Sequence, residues 1–392
     1  MPEFPEKRAI LSGIGISRIG RRTGIPGLEL MQEAGRAAIA DAGLDPADID
    51  GVSTMGETPI PEASAALGLG ELRYTGGGFE TGGLHSPVMS AFLAVAEGRA
   101  RHVLVYRTVM MMGGTIIPPS GGRRPAPAPG PAANATANPM GDMGPLLASH
   151  AYSAANWLAM HCRRHMHLYG TTKEQLGWLS VNSRRNAGLN PRAAYREPIT
   201  LDDYLAARIV STPFGLLDCD VPIDGSIAVV VSSADYAPDC PNPPIRVEAI
   251  GGSPGTGGWV DRPDYPKMAS VEAAAQMWSR TDLTPRDVDI AQLYDGFTFL
   301  TFAWLEALGL CGEGEAGPFV EGAERIALDG ELPLNTYGGQ LSAGRMHGYW
   351  VLHEACVQLR GDGGERQVPG EPEVAVVSNG GGPIAGCMLL TR

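Results

Sequence analysis

The sequence predicts an α/β fold made of two equivalent halves, each a sheet covered by helices. Three observations carry this expectation. A turn occurs twice, as Leu44-Asp45-Pro46-Ala47-Asp48-Ile49-Asp50 and as Leu283-Thr284-Pro285-Arg286-Asp287-Val288-Asp289. Each copy lies between a helical pattern and an aliphatic strand pattern, and the copies are spaced near half the chain, as in an internal duplication. A second helix–strand pair completes each unit, 87–97 leading to 103–106 and 348–359 leading to 374–378. Two halves with one order of elements imply layered sheets with helices on their faces.

In chain order, 9–17 reads as a first strand rich in Ile and Gly. Residues 27–42 read as a helix, because Leu28, Met31, Ala34, Ala38 and Ile39 recur at helical spacing and Gly43 follows. The first repeated turn leads to a strand at 51–54. The stretch 112–143 is dense in Gly, Pro and Ala and reads as a loop. Helices are expected over 149–169 and 173–187, then a turn and an aliphatic strand over 220–232. The segment 241–244, with its prolines, marks a boundary. The second unit begins with a helix over 271–281 and a strand over 290–294. The expected organisation is an N-terminal half, 1–240, with an insertion at about 112–148, and a C-terminal half, 241–392.

Composition narrows the function. The net charge of -13 argues against a nucleic-acid surface. The six cysteines, Cys162, Cys219, Cys240, Cys311, Cys356 and Cys387, include no CxxC pair, which suits free thiols in a reducing compartment. No secretory leader pattern and no apolar run of membrane-spanning length is read. The expectation is a cytoplasmic protein with no membrane association.

Four segments then stand out. They are Asp220-Val221-Pro222-Ile223-Asp224-Gly225, Tyr294-Asp295-Gly296-Phe297, the run from Asn335-Thr336-Tyr337-Gly338-Gly339 to Gly344-Arg345-Met346-His347-Gly348, and Ser378-Asn379-Gly380-Gly381-Gly382. In order and spacing they resemble the sterol-carrier-protein type of the thiolase superfamily, over nearly the whole chain. The resemblance implies a thiolase fold, two βαβαβαββ halves stacked as five layers (αβαβα), normally a dimer, and a coenzyme A thioester substrate.

A thiolase needs a nucleophilic cysteine at a helix start, where the thiol pKa falls. The matching stretch, Glu80 to Pro87, has none. The second thiolase cysteine is replaced by Ser378 or Asn379, and Cys387 lies further on, in the final apolar strand. The thiolase Asn-Glu pair becomes Tyr294-Asp295 and the Gly-His becomes Gly344-Arg345. Covalent acyl transfer is therefore not expected. The changes resemble the superfamily's steroid side-chain-cleaving aldolases. These split a β-hydroxyacyl-CoA into a ketosteroid and propionyl-CoA, alongside a small partner of zinc-ribbon and OB-fold type that gives a heterotetramer.

A retro-aldol step needs a base for the hydroxyl proton, donors for the thioester oxygen and an acid for the α-carbon. The thioester is itself the electron sink, so neither a Schiff-base lysine nor a cofactor is expected, coenzyme A being part of the substrate. No metal site is expected either: His161, His165 and His167 read as a solvated helix face. Tyr294 is the first candidate for acid/base work, or else packs in the core. Asp295 orients it, acts as a base, or caps the next helix. His347 polarises the hydroxyl or the carbonyl, or bonds a loop carbonyl. Arg345 stands where many relatives carry tyrosine; it is a candidate to stabilise the enolate or to contact a phosphate, and Tyr337 and Tyr349 are further candidates. Gly338, Gly339, Gly380 and Gly381 are expected around the thioester and its oxyanion. His85 lies at the old nucleophile loop. Arg184, Arg185 and Arg192, with Arg123 and Arg124 in the loop, are candidates for the coenzyme A phosphates. Two other classes compete: a non-catalytic acyl-CoA or lipid carrier, and a structural subunit of a hydratase–aldolase complex. An acetyltransferase with an unusual nucleophile is a further alternative.

Overall fold

The structure, a computed structural model, describes residues 4–55, 58–77, 82–112, 143–253 and 258–392. The predicted loop at 112–143 falls almost wholly outside the described residues, as do Arg123, Arg124, Glu80 and Thr81.

The N-terminal unit runs β1 (Ala9–Ile16), α1 (Gly27–Asp41), β2 (Gly51–Thr54), α2 (Ile60–Leu67), β3 (Tyr74–Gly77), α3 (Ser86–Ala96) and β4 (His102–Met110). Helices α4 (Ala154–Tyr169) and α5 (Lys173–Gly188) intervene before β5 (Asp224–Ser233). The second unit runs β6 (Ile245–Ser253), α6 (Ser270–Trp278), β7 (Ile290–Gln292), α7 (Thr298–Ala307), α8 (Tyr349–Arg360), β8 (Val374–Gly381) and β9 (Ile384–Thr391).

The strand order is β3-β2-β4-β5-β1-β6-β9-β8-β7. Its first five members and its last four are related by the duplication, with β1 opposite β6 where the halves meet. There the pairing is short, Ile10 to Arg246 and Leu11 to Ile245. The second half departs from the expected βαβαβαββ order. Its third strand is reduced to one bridge between Ala291 and Leu334.

Strand alternation makes the layers. Val103, Val105, Val229 and Val231 share one core with Ala375, Val377, Met388 and Leu390 of the other half. Helices α3 and α8 supply Phe92, Val95, Leu352 and Cys356 to that same core, so they form the central layer. Leu104, Tyr106, Ala228 and Val230 face the other way, against α1. Ala249, Val376 and Leu389 face outward in the second half, against α6 and α7.

The repeated turns do the same work twice. Asp50 accepts the amides of Arg101 and His102 at 2.8 and 2.9 Å, where β4 begins. Asp289 accepts those of Glu373 and Val374 at 2.8 and 2.9 Å, where β8 begins. Each turn thereby sets the register of a parallel neighbour. No helix among the described residues is long and apolar enough to cross a membrane.

Candidate active site

Tyr294 and Asp295 follow β7 at its C-terminal end. His347 precedes α8, Gly380 and Gly381 close β8, and Cys219 and Asp220 precede β5. These ends converge on a cavity of about 440 Å³. Leu84, Trp157, Trp259, Phe297 and Leu300 give it apolar walls, and Asp220, Tyr294, Arg345, His347 and Cys219 are its charged and titratable groups. An apolar cavity with a few convergent polar groups is the usual form of a small-molecule site.

Each polar group is held by a neighbour. The Asp220 carboxylate pairs with the Arg345 guanidinium at 3.2 Å. Burial lifts the Asp220 carboxyl to about 6, and the arginine cation pulls the other way. Tyr294 takes its backbone position from a hydrogen bond, its N–H donating to Ser378 Oγ at 3.1 Å. Burial pushes its phenol up to about 12, with Arg345 opposing, so it rests protonated. His347 has a left-handed backbone, φ 51°. Its Nδ1 lies 2.7 Å from Arg107 Nη2 and 3.3 Å from Arg107 Nε. Burial and the cations of Arg345 and Arg107 hold its pKa well below the ordinary value.

Other expected residues stand elsewhere. Asp295 does not line the cavity. Its oxygens accept Gln340 N–H at 2.9 Å and Leu341 N–H at 3.4 Å, capping the turn Gly339–Ala343. A Cβ on Gly339 would come within 1.9 Å of Asp295 Oδ2, and one on Gly338 within 2.5 Å of Ala187 Cβ. Those two glycines let the turn close on Asp295 and α5, and they are not at the cavity, whereas Gly380 and Gly381 are. Tyr337 and Tyr349 also lie outside it. They belong to the central layer, fully buried, Tyr337 stacked on Trp350 at 5.1 Å and Tyr349 edge-on to His85 at 5.7 Å. His85 is itself fully buried, its Nε2 2.8 Å from Gly348 O, and burial lowers its pKa to about 4.

The nucleophile loop is occupied differently than in a thiolase. Asn379 Oδ1 accepts Leu84 N–H at 2.7 Å and His85 N–H at 3.2 Å. Cys387 is fully buried in β9, its thiol pushed up by burial. Cys219 does line the cavity, but burial and the nearby Asp218 and Asp220 push its thiol up to about 12, away from a reactive thiolate.

Of the three helix histidines only His167 is exposed as expected. His161 is buried between Pro266 O and Trp259 O, and His165 between Thr171 and Glu306. Among the described residues no three His, Cys, Asp or Glu side chains are grouped to hold a metal. Arg184 bonds Ser342 Oγ and Glu197 O, Arg185 bonds Ala323 O, and Arg192 bonds Ser17 O. Arg184 lines a second cavity, to whose wall Asp220 and Cys219 also contribute. Sequence reasoning missed Arg107 and the role of Asp220. A lone arginine inside the apolar run of β4 was the available signal for the first.

Fold and site together define a thiolase-fold protein without a nucleophilic cysteine. Residues 256–390 match the family described as Thiolase C-terminal domain-like. The chain is 38% identical over 396 residues to 17-hydroxy-3-oxo-4-pregnene-20-carboxyl-CoA lyase of Mycobacterium tuberculosis, covering 97% of this chain and 99% of that one. It is 35% identical to the steroid side-chain-cleaving aldolase of Thermomonospora curvata, covering 97% of each. The solved Ltp2-ChsH2(DUF35) aldolase superposes with a TM-score of 0.86 at 32% identity over 98% of both chains. The chain belongs to the steroid side-chain-cleaving aldolases of the thiolase superfamily.

Proposed function

We propose that the chain is a carbon–carbon lyase acting on a steroid β-hydroxyacyl-CoA such as 17-hydroxy-3-oxopregn-4-ene-20-carboxyl-CoA, giving a 17-ketosteroid and propionyl-CoA. The observation that carries the reading is the apolar cavity lined by Asp220, Tyr294, Arg345 and His347, with no reactive thiol. Steroid rings fit the tryptophan and leucine walls, and the thioester fits the polar groups.

In this reading Asp220 takes the proton of the ring hydroxyl. The bond between the carbinol carbon and the α-carbon breaks, leaving a ketone. Its electron pair enters the thioester, whose oxygen becomes an enolate held by His347. Tyr294, resting protonated, gives its proton to the α-carbon, and the proton on Asp220 restores the phenol. No water, oxidant or separate cofactor is consumed. Arg345 holds Asp220 in place.

The solved neighbour is named as a complex with a DUF35 protein. We infer that this chain also works with a partner of that domain type, a small zinc-ribbon and OB-fold protein, as a homodimer carrying two such partners in the cytoplasm. The test is co-expression with that partner and incubation with a D-ring-hydroxylated steroid acyl-CoA. Ketosteroid and propionyl-CoA are followed by chromatography and mass. Both products are expected. A well-folded complex that binds the thioester without cleaving it overturns the lyase reading in favour of a carrier.

A further inference from the structure

We propose that Arg107 is the positioning residue that fixes the tautomer of His347, making its Nε2–H a hydrogen-bond donor to the enolate oxygen. This rests on the lyase reading above and assigns how one of its residues is prepared.

A guanidinium only donates hydrogen bonds. Arg107 Nη2 and Nε both approach His347 Nδ1, at 2.7 and 3.3 Å. Nδ1 must therefore present its lone pair, and the single proton of the neutral ring sits on Nε2. Two cations, Arg107 on β4 and Arg345 on the loop before α8, keep the ring neutral, together with its burial. Among the described residues, Asp220 and Cys219 before β5 and Tyr294 after β7 share the cavity wall, and Tyr349 at the start of α8 and the buried His85 lie beside the loop. A histidine so held is a poor base, because its free lone pair is already committed. It is a good neutral donor, where orientation set before reaction is worth most.

Backbone geometry holds the ring to Arg107. His347 sits at φ 51° between Gly344 at φ 139° and Gly348 at φ 86°. A Cβ on Gly348 would come within 3.1 Å of both His85 Nε2 and Asn379 Cβ, so the loop packs closely against them. Arg107 is itself buried in β4 at 6% exposure, so packing restricts where its guanidinium can point.

The test compares Arg107→Met and Arg107→Lys in the complex with the zinc-ribbon/OB partner, by steady-state cleavage of the D-ring-hydroxylated acyl-CoA. It also uses nitrogen-15 spectra of histidine-labelled protein, with His347→Gln to assign the signal. Arg107→Met, which has no donor, is expected to lower kcat about 100-fold, the scale of one lost oxyanion donor, with KM within about twofold. Its His347 signal moves away from the pure Nε2–H form. Arg107→Lys, which still donates to Nδ1, is expected to retain the tautomer and recover most of kcat. An unchanged kcat in Arg107→Met overturns the proposal. So does a fall in kcat with the His347 tautomer unchanged, which marks a merely structural arginine. If the wild-type complex cleaves nothing while the tautomer still follows Arg107, the lyase reading fails and the Arg107–His347 assignment survives.

Discussion

The side-chain oxygen of Asn379 lies 2.7 Å from the backbone nitrogen of Leu84. It joins the two places where a thiolase carries cysteines. The helix start that would lower a thiol pKa spends its Leu84 and His85 amides on this amide oxygen instead. Asn379 Nδ2 in turn donates to Gly386 O at 3.1 Å, so the asparagine ties α3 to the β8–β9 hairpin.

Two outcomes are expected from that contact. Incubation with a simple acyl-CoA leaves no acyl adduct on the wild-type chain by intact mass, nor on Asn379→Cys, since no thiol sits at the α3 start. Asn379→Ala leaves the buried His85 N–H and the half-buried Leu84 N–H without an acceptor and is expected to cost about 2 kcal/mol, read as a lower urea midpoint. An acyl adduct on either chain contradicts the first, and an unchanged midpoint the second.

Tyr294→Phe keeps the ring and removes the proton. The neighbouring Gly296 leaves the ring its space, a Cβ there reaching within 3.0 Å of it. Cleavage is expected to fall by about 100-fold or more, with thermal stability and thioester binding close to wild type. Product formation at the wild-type rate removes Tyr294 from the chemistry.

Much of the fold was legible because it was written twice. The Leu-x-Pro-x-Asp-aliphatic-Asp turns announced Asp50 and Asp289, and both grip the next parallel strand. The lost third strand of the second half was not announced. Pro333 lacks an N–H and Asn335 turns to φ 47°, so pairing there stops after a single bridge at Leu334. At the site, glycine-rich spacing placed Tyr294 and His347 at one cavity but could not tell a wall from a core. Tyr337 and Tyr349 sit beside the same glycines, yet their chain enters the central helical layer and buries them. Arg107 meets His347 across 240 positions, a contact no local pattern carries.

Asp295 is expected to act on stability more than on chemistry. Burial raises its carboxyl to about 7 even though two amides favour the ionised form. The folded state then binds a proton that the unfolded chain releases near pH 4. Its contribution is therefore fully present below about pH 4 and is lost as pH rises through about 7. Urea midpoints are expected to decline across that window, and Asp295→Asn to flatten the decline. The same substitution puts an NH2 against a backbone donor, and costs about 1–3 kcal/mol at low pH. A slope unchanged by the substitution assigns it to other groups.

The acid limb of activity belongs to Asp220. Its carboxyl, lifted by burial to about 6, must be ionised to take the hydroxyl proton. Cleavage is expected to rise with pH through about 6 in the wild type, and Asp220→Asn to lose about 100-fold or more with that limb gone. Arg345 favours the ionised carboxylate from 3.2 Å. Arg345→Gln removes that pull, so the carboxyl holds its proton to higher pH and the limb shifts upward, with activity recovered as the medium becomes more alkaline. A limb that moves to lower pH in Arg345→Gln, or stays in Asp220→Asn, means the proton is taken by another group.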